Sequence, residues 1–499
     1  MRFVITIAFA LSACALDIPT SSGSVRGFTS EPGVSAYLGI PFAAPPIGEL
    51  RFQKPQKPNR SQHTINATKF SKACIQFQYK TPVVVKLGGE IPESDQSEDC
   101  LYLNIWTPAG RRRERNRKGL ATMLWIHGGG YGEGTAGIDA FDGTHIVKNH
   151  QDVIVVSINY RLNLFGFPVS PALGGALNLG LLDQRAAVEW VHSNIANFGG
   201  DPNRITLFGE SAGGSSVSSY AYAYPDDPKV AGLIMQSGTA EILGDPGPEE
   251  FLRVSKAVGC DDKDDSKRVK CFKKVDAKTI QGAISNRTLN WYAWPNGGMP
   301  GVDNKTVFTM EEFITRGFVG RFAKVPVLVG SNNHEGDFVI PFNAEKGINT
   351  TLSDIMTKTL FTCGSALQAM YRANNKVPVY RYRYMARFPS ISWYPWMRDG
   401  THFAETPVLF GTMNTMAIRK VDETEKEAIK YMQKLWVAFA NNPSDGLKNL
   451  GWPKYKTDGK TLAEIFGKNE ISMKFVKSDK YDDHCDNPPQ VPFDSFTPY

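Results

Sequence analysis

One serine lies in a sequence pattern that suggests covalent catalysis. Ser211 stands between Gly209 and Gly213, and the apolar segment Ile205–Phe208 precedes it. A strand that turns sharply into a helix at such a serine holds it in a strained conformation and needs small residues two positions to either side. We therefore predict that Ser211 is a nucleophile, provided that a base and an acid lie elsewhere in the chain.

A run of glycines follows another apolar segment, upstream of the serine. The segment Met123–His127 leads directly into Gly128, Gly129 and Gly130. A glycine-rich loop beside a substrate carbonyl can present backbone N–H groups to the oxygen that becomes negative in a tetrahedral intermediate. A phosphate-binding loop would need a Gly-Lys-Ser/Thr sequence or a Gly-x-Gly-x-x-Gly in the right context, and neither is present. The loop therefore favours an oxyanion hole.

The elements that must position these residues alternate along the chain. Short apolar segments alternate with segments of helical pattern, which predicts an α/β protein with a large, mostly parallel central sheet and helices on both faces. A helix is predicted over Leu181–Ile195 and a loop over Phe198–Pro202. A later helix carries an apolar stripe made of Ile429, Met432, Trp436 and Phe439. The predicted strands are Met123–His127, Val153–Asn159, Ile205–Phe208, Leu233–Gln236, Val325–Gly330 and Val379–Tyr384.

Composition narrows the class of protein but not its chemistry. The chain has 499 residues, of which 41% are hydrophobic and 21% charged, and this is typical of a large globular protein. A net charge of +6 over so large a surface does not indicate nucleic acid or an acidic substrate. The basic run Arg111–Lys118 lacks interleaved aromatic residues and is too short to form a binding stripe, so we predict a solvated loop. No nucleic-acid partner is expected.

The N-terminus predicts export. Arg2 precedes the apolar run Phe3–Leu11, and Ala13-Cys14-Ala15 has the small-x-small form of a signal-peptidase site, so residues 1–15 are expected to be a signal peptide. The alternative is a lipobox, in which Cys14 would carry a lipid anchor. No later segment has the ~20 apolar residues that span a bilayer. We therefore expect a secreted, extracellular protein without a transmembrane segment.

The cysteines and the glycosylation sequons agree with an extracellular protein. Six cysteines follow Cys14, and six cysteines allow fifteen connectivities. Local spacing favours the pairs Cys74–Cys100 and Cys260–Cys271, which leaves Cys363 with Cys485. Candidate glycosylation sites are Asn59, Asn66, Asn286, Asn304 and Asn349.

Several segments outside the serine motif form a specific set. They are Tyr37–Phe42, Leu50–Phe52, Ser97–Ile105, His127–Gly130 and Asn159–Arg161. With the serine motif they resemble the type-B carboxylesterases, an α/β-hydrolase family that includes cholinesterases and fungal extracellular lipases. The resemblance covers nearly the whole chain after the leader. It implies a single α/β-hydrolase domain over residues 16–499 and the same three disulfides. The sequence has no Cys-x-x-Cys pair and no His-Glu-x-x-His, so no metal site is expected, and acyl transfer through a serine needs no cofactor.

The base is expected after the nucleophile. A serine hydroxyl needs a general base that an acid orients, and in this fold the chain order is serine, acid, histidine. Among the histidines after Ser211, His402 lies in the segment Gly400–Glu405, which resembles the family's His-x-x-Glu sequence. The other two, His334 and His484, are expected to be surface histidines. We predict His402 as the base.

The acid and the surrounding residues follow from the same resemblance. Glu335 comes after a predicted strand and matches the family's Glu-Gly signature, while Asp337 is the alternative acid. The resemblance implies that the oxyanion donors are the backbone N–H groups of Gly129, Gly130 and Ala212. Two further residues are expected near the triad. Glu210 would modulate the local field or have a solvent or structural role, and Ser237 would support the triad from behind.

Together these residues predict a secreted serine carboxylic-ester hydrolase that acts on a small-molecule or lipid ester through an acyl-enzyme. The alternatives are a triacylglycerol lipase of the same family and a non-catalytic, cholinesterase-like binding protein. The segment between Cys74 and Cys100 has no tryptophan, which disfavours a quaternary ammonium substrate. Aromatic residues that could line a substrate pocket, or belong to the core, are Trp291, Tyr292, Trp294, Trp393, Tyr394 and Trp396.

Overall fold

The centre of the fold is a twisted sheet. A computed structural model describes residues 17–76, 91–110, 118–173, 177–243, 245–285 and 298–486. In these residues the central sheet has eleven strands, in the spatial order β11-β10-β9-β8-β7-β6-β4-β5-β3-β2-β1. The strands are β1 Phe28–Glu31, β2 Val34–Pro41, β3 Tyr102–Pro108, β4 Leu120–Ile126, β5 Val153–Ile158, β6 Gly200–Glu210, β7 Gly232–Gln236, β8 Val327–Asn332, β9 Val379–Tyr384, β10 Lys460–Ile465 and β11 Met473–Lys477.

The middle of the sheet is parallel and its edges are antiparallel. Parallel pairings join the strands from β10 to β5, whereas β11 and the strands β3, β2 and β1 pair antiparallel. Every residue of β5 is buried, as expected of an apolar strand covered on both faces, whereas the edge strand β11 has no fully buried residue. The prediction of a large, mostly parallel sheet flanked by helices is confirmed.

Helices cover both faces of the sheet. Apolar residues of α3, α4 and α10 belong to one core cluster, and those of α1, α11 and α13 belong to the other. Among the described residues, no helix combines the length and the apolar character needed to cross a bilayer. The helices are α1 Thr144–Asn149, α2 Asn163–Gly166, α3 Leu179–Asn194, α4 Ala212–Ala223, α5 Glu249–Ala257, α6 Asp265–Phe272, α7 Ala277–Ser285, α8 Met310–Val319, α9 Thr350–Met356, α10 Cys363–Asn374, α11 Thr406–Phe410, α12 Met413–Met416, α13 Glu423–Asn441, α14 Gly446–Asn449 and α15 Asp479–Asp482.

Most predicted bounds are close to those observed, and one prediction is wrong. The six predicted strands correspond to β4–β9, and β9 has the predicted limits. The loop predicted over Phe198–Pro202 is instead divided between a short 3-10 turn and the start of β6. Gly200 pairs with Leu120 before the register shifts at Ile205, so the strand begins earlier than its apolar run. In α13 the stripe residues face the core, with Ile429 only partly buried.

Covalent and ionic links hold the loops around the sheet. The disulfides are Cys74–Cys100, Cys260–Cys271 and Cys363–Cys485, which confirms the predicted pairing. Two arginines of the motif segments form ion pairs that are largely removed from solvent. Arg51 binds Glu98 through two contacts of 2.6 Å, and Arg161 binds Asp183 at 2.7 Å. Of the basic run, Lys118 is exposed, and residues 111–117 lie outside the described part of the chain.

Candidate active site

Ser211 forms a sharp turn between β6 and α4. Its φ of 58° and ψ of −122° are a strained combination for a residue with a side chain. A Cβ at Gly213 would lie 2.1 Å from the carbonyl oxygen of Ile126, and one at Gly209 would lie 2.6 Å from the carbonyl carbon of Gly213. Strand and helix therefore crowd both glycine positions, as the sequence pattern predicts. The Ser211 N–H donates to the Gln236 carbonyl at 2.9 Å, which fixes the turn to β7.

The glycine loop after β4 lies against this turn. A Cβ at Gly128 would lie 3.0 Å from the Ser211 Cβ. Gly129 has φ +98°, and a Cβ there would lie 2.2 Å from the Glu133 carbonyl oxygen. In the part of the chain that the structure describes, the N–H groups of Gly129, Gly130 and Ala212 donate to no protein acceptor. The loop thus presents free backbone donors beside the serine.

His127, the residue before the glycine loop, is held in place by Tyr160. Its ring stacks on Tyr160 at 4.5 Å, and the Tyr160 hydroxyl donates to the His127 carbonyl at 3.0 Å. Burial lowers the pKa of His127 to about 4, so the ring is neutral near pH 7. Nδ1 lies 2.8 Å from the Gly128 carbonyl oxygen, which can only accept, and the proton therefore resides on Nδ1.

Glu335 and His402 are joined by a short hydrogen bond. Glu335 begins a 3-10 turn after β8, and His402 lies in the loop after β9. His402 Nδ1 donates to Glu335 Oε2 at 2.5 Å, and the backbone N–H of Asn332 donates to Glu335 Oε1 at 2.6 Å. The Glu335 side chain is completely buried. Both carboxylate oxygens of Glu335 therefore accept a hydrogen bond, and the one from Nδ1 fixes the orientation of the imidazole ring.

Glu210 lies on the other side of the imidazole. Its side chain is buried, which excludes the solvent role, and Oε1 lies 3.3 Å from His402 Nε2. That contact falls outside hydrogen-bond geometry, and Glu210 Oε1 has no other partner in the described residues. Within the same residues, the Ser211 hydroxyl makes no hydrogen bond. Nε2 of His402 thus faces the carboxylate that precedes the serine.

These buried groups perturb one another's protonation. Burial lowers the pKa of His402, but the charges of Glu210 and Glu335 and the hydrogen bond to Glu335 outweigh it and raise this pKa to about 9. Burial raises the pKa of Glu210 well above its usual range, opposed by the charge of His402. The histidine and Glu210 therefore titrate as a coupled pair.

A third buried carboxylate, Glu405, belongs to the same network. It accepts hydrogen bonds from Asn332 Nδ2 at 2.5 Å and from Gln236 Nε2 at 3.1 Å, and Trp436 Nε1 donates to Gln236 Oε1 at 3.0 Å. Burial and the nearby charge of Glu335 raise the pKa of Glu405 to about 6. The sequence singled out no role for this residue, although it follows His402 by three positions.

The other candidate acid and base residues have different partners. The Asp337 carboxylate is buried and accepts from Arg398 Nη2 at 2.5 Å and from Ser353 Oγ at 2.7 Å. His334 Nδ1 lies 2.7 Å from the Asp399 carbonyl oxygen, and His484 Nδ1 lies 3.1 Å from Asp483 Oδ1. None of these contacts reaches the serine.

Ser237 follows β7 as Ser211 follows β6. Residues Glu210 and Gln236 pair directly across the two strands, so the two serines occupy equivalent positions. Ser237 is buried with φ 51°, and its N–H donates to the Gly330 carbonyl at 2.9 Å. Its hydroxyl has no hydrogen-bond partner in the described residues. Ser237 is therefore buried at the end of the strand next to the Ser211 turn.

Part of the predicted aromatic set clusters at the 3-10 turn Glu335–Phe338, which we call the acid loop. Tyr394 and Trp396 stack at 5.2 Å, and Phe338, three residues after Glu335, lies 5.9 Å from Trp393 and 6.0 Å from Trp396. These rings contact one another, so they form a small aromatic cluster near the site. Trp291, Tyr292 and Trp294 lie outside the described residues.

A parallel sheet with a strained serine between strand and helix at its carboxyl edge, followed in the chain by an acid and a histidine, is the α/β-hydrolase fold. The chain belongs to the carboxylesterase family, whose profile matches residues 15–352 and 344–483. It is a carboxylic ester hydrolase of the cholinesterase-like type.

Curated relatives agree with this membership. The chain is 36% identical to the chlorogenic acid esterase of Aspergillus niger over 490 residues, covering 94% of this chain and 93% of the relative. It is 33% identical to secreted lipase 5 of Gibberella zeae, with 94% of each chain covered. The acetylcholinesterase of Bungarus fasciatus is 30% identical, over 88% of this chain and 81% of that enzyme.

Proposed function

We propose that Ser211, His402 and Glu335 are a catalytic triad that hydrolyses carboxylic esters through an acyl-enzyme. The observation that carries the proposal is the 2.5 Å hydrogen bond between His402 Nδ1 and the buried carboxylate of Glu335, near the Ser211 turn. In the first step Ser211 Oγ attacks the ester carbonyl while its proton passes to His402 Nε2. The acyl–oxygen bond to the alcohol then breaks, and His402 protonates the departing alkoxide.

The second step reverses these roles with water. A water molecule gives a proton to His402 Nε2 and attacks the acyl carbonyl, and collapse of the intermediate releases the acid as the proton returns to Ser211 Oγ. In both steps the carbonyl oxygen becomes negative, and we assign its stabilisation to the N–H groups of Gly129, Gly130 and Ala212. Among the described residues none of these N–H groups has a protein acceptor, which supports this role. Glu210 would stabilise the imidazolium, and Ser237 would support the turn.

For the substrate, we propose small carboxylic esters, with aromatic acids first among them. A relative of nearly the same length is named chlorogenic acid esterase, and rings of Phe338, Trp393 and Trp396 lie beside the acid loop. A lipid ester is the second candidate, because another full-length relative is named a secreted lipase. A panel of chlorogenic acid, p-nitrophenyl butyrate and emulsified p-nitrophenyl palmitate distinguishes them. Turnover confined to the emulsion would favour the lipase.

The triad is tested by covalent labelling. An organophosphate should modify the wild-type protein at Ser211, as peptide mass spectrometry would locate, and should abolish hydrolysis. Ser211→Ala should neither label nor hydrolyse. Ser193→Ala, at an exposed serine of α3, is the matched control and should do both. A well-folded wild-type protein without labelling or turnover would instead support the non-catalytic binding role.

We also propose that the protein is secreted and glycosylated. The three disulfides support an oxidising compartment, and Asn59, Asn66, Asn304 and Asn349 are exposed. Asn286 and residues 1–15 lie outside the described residues. N-terminal sequencing of the exported protein should begin after Ala15, whereas an acylated Cys14 would indicate the lipid anchor. A mass decrease on endoglycosidase treatment should report the glycans.

Calorimetry should show one unfolding transition, as a single domain over residues 16–499 predicts.

A further inference from the structure

One short turn touches both the acid loop and the base. Residues Thr357–Thr362 form a π-helical turn between α9 and α10. Thr357 Oγ1 accepts from the N–H of Gly336, the residue after Glu335, at 2.9 Å. From the same turn, the Phe361 ring lies 5.0 Å from the His402 ring with 50° between their planes. π-Helical turns are rare and occur often at functional sites.

Phe361 is held firmly against the histidine. Its side chain is 2% exposed and packs among Val339, Ile340, Leu352 and Met356. At the end of the turn, Thr362 Oγ1 accepts from Arg383 Nη1 at 3.1 Å. The next residue, Cys363, is bonded to Cys485. The turn is thus anchored at both ends, and the aromatic ring cannot swing away without breaking these contacts.

The two ring centres are 5.0 Å apart, which is close enough for the Phe361 ring to stabilise a charged histidine. The face of an aromatic ring attracts a cation within about 6 Å of its centre. His402 becomes an imidazolium each time it takes a proton from Ser211 or from water. The charged groups that face it are the carboxylates of Glu335, Glu210 and Glu405, so Phe361 supplies the apolar wall of the imidazole pocket.

We propose that Phe361 is a positioning residue that fixes the plane of His402 and stabilises its imidazolium form through the aromatic face. This inference rests on the proposed triad. A leucine at this position would keep the apolar packing but lose the aromatic face. The base would therefore be less stable when protonated, both in the free enzyme and in the transition state.

The experiment compares Phe361→Leu with Phe313→Leu. Phe313 is also fully buried, but its ring packs on Tyr222 and Phe308, away from the triad. For Phe361→Leu, the ascending limb of the pH profile of kcat/KM should move down by about one pH unit, and kcat should fall about tenfold with little change in KM. For Phe313→Leu, the ascending limb should coincide with that of the wild type.

Two outcomes overturn the proposal. One is a Phe361→Leu profile whose ascending limb coincides with that of the wild type, since loss of packing alone lowers kcat or stability without moving the limb. The other is an unchanged pKa in an NMR titration of the His402 ring in Phe361→Met, which serves if the leucine variant folds poorly. His402→Ala is measured alongside. If that variant keeps its activity, the triad itself has failed rather than the role of Phe361.

Discussion

His402 Nε2 lies 3.3 Å from Oε1 of Glu210, on the side of the imidazole opposite Glu335. The nitrogen proposed to accept the serine proton therefore faces a second buried carboxylate. A histidine between two carboxylates holds its proton more tightly than one beside a single acid. The fraction of His402 that is unprotonated should therefore determine how the activity depends on pH.

Replacing Glu210 should make the base available at lower pH. In Glu210→Gln the imidazolium loses one of the charges that stabilise it, so the pKa of His402, raised to about 9 in the native protein, should fall. The ascending limb of kcat/KM should then move down by about one unit or more. Glu189→Gln, on the exposed face of α3, is the matched control and should leave the limb in place. A limb that does not move in Glu210→Gln would contradict the electrostatic role.

The two acids of the Glu335 loop should differ in what they affect. Glu335→Gln should lower kcat about 10⁴-fold, because an amide cannot hold the imidazole in the productive tautomer. Asp337→Asn should instead lower the unfolding temperature, since it weakens the buried contact with Arg398, and should change kcat by less than about tenfold. Ester hydrolysis and thermal unfolding measured on both variants check the assignment. The reverse pattern would make Asp337 the acid.

Protonation of His402 should also contribute to stability. Its pKa is raised to about 9 in the folded protein against 6.5 for an unperturbed histidine. The folded state therefore binds this proton more tightly than the unfolded state, and the stabilisation is complete below pH 6.5 and lost as the pH rises to 9. In His402→Gln, the decrease in unfolding temperature between pH 6 and pH 9 should be smaller than in the wild type. Equal decreases in the two proteins would refute the raised pKa of His402.

Glycine at position 213 should be required by space. A Cβ there would lie 2.1 Å from the Ile126 carbonyl oxygen, so Gly213→Ala should displace the serine turn and lower kcat at least about 10²-fold. Gly282, in α7, has no atom within 4 Å of a built Cβ. Gly282→Ala should leave activity unchanged and preserve or slightly raise the unfolding temperature. Activity assays and thermal unfolding of the pair make the comparison.

The central strands and the triad candidates could be predicted because their signals are local. Strands β4, β5, β7 and β8 are largely apolar and buried at every residue, and such runs are visible in the sequence. Ser211 is marked by glycines that the turn requires within four residues. By contrast, β3 contains the buried Asn104, which contacts Ser157 at 3.0 Å and the N–H of Gly39 at 2.9 Å. A strand whose polar residues are satisfied by partners distant in the sequence gives no clear apolar pattern.

Two supporting residues of the site, Glu405 and Phe361, escape prediction for the same reason. Nothing near Glu405 indicates burial, because the groups that satisfy it, Asn332 and Gln236, come from β8 and β7. The contact between Phe361 and His402 joins two loops that are separated by strand β9. Sequence motifs therefore identify the residues proposed to react and Glu210 beside the serine, whereas Glu405 and Phe361 become visible as neighbours of His402 only in the folded chain.

The Cys363–Cys485 disulfide gives this site an unusual covalent topology. The bond joins residues separated by 122 positions and closes a ring of chain that contains His402. A protease that cuts the ring once cannot release either piece, because the disulfide still joins them. Nicked enzyme should therefore migrate as one band without reductant and as two with it. A single cut in the segment between Cys363 and Cys485, which contains the proposed base His402, should therefore leave both fragments attached.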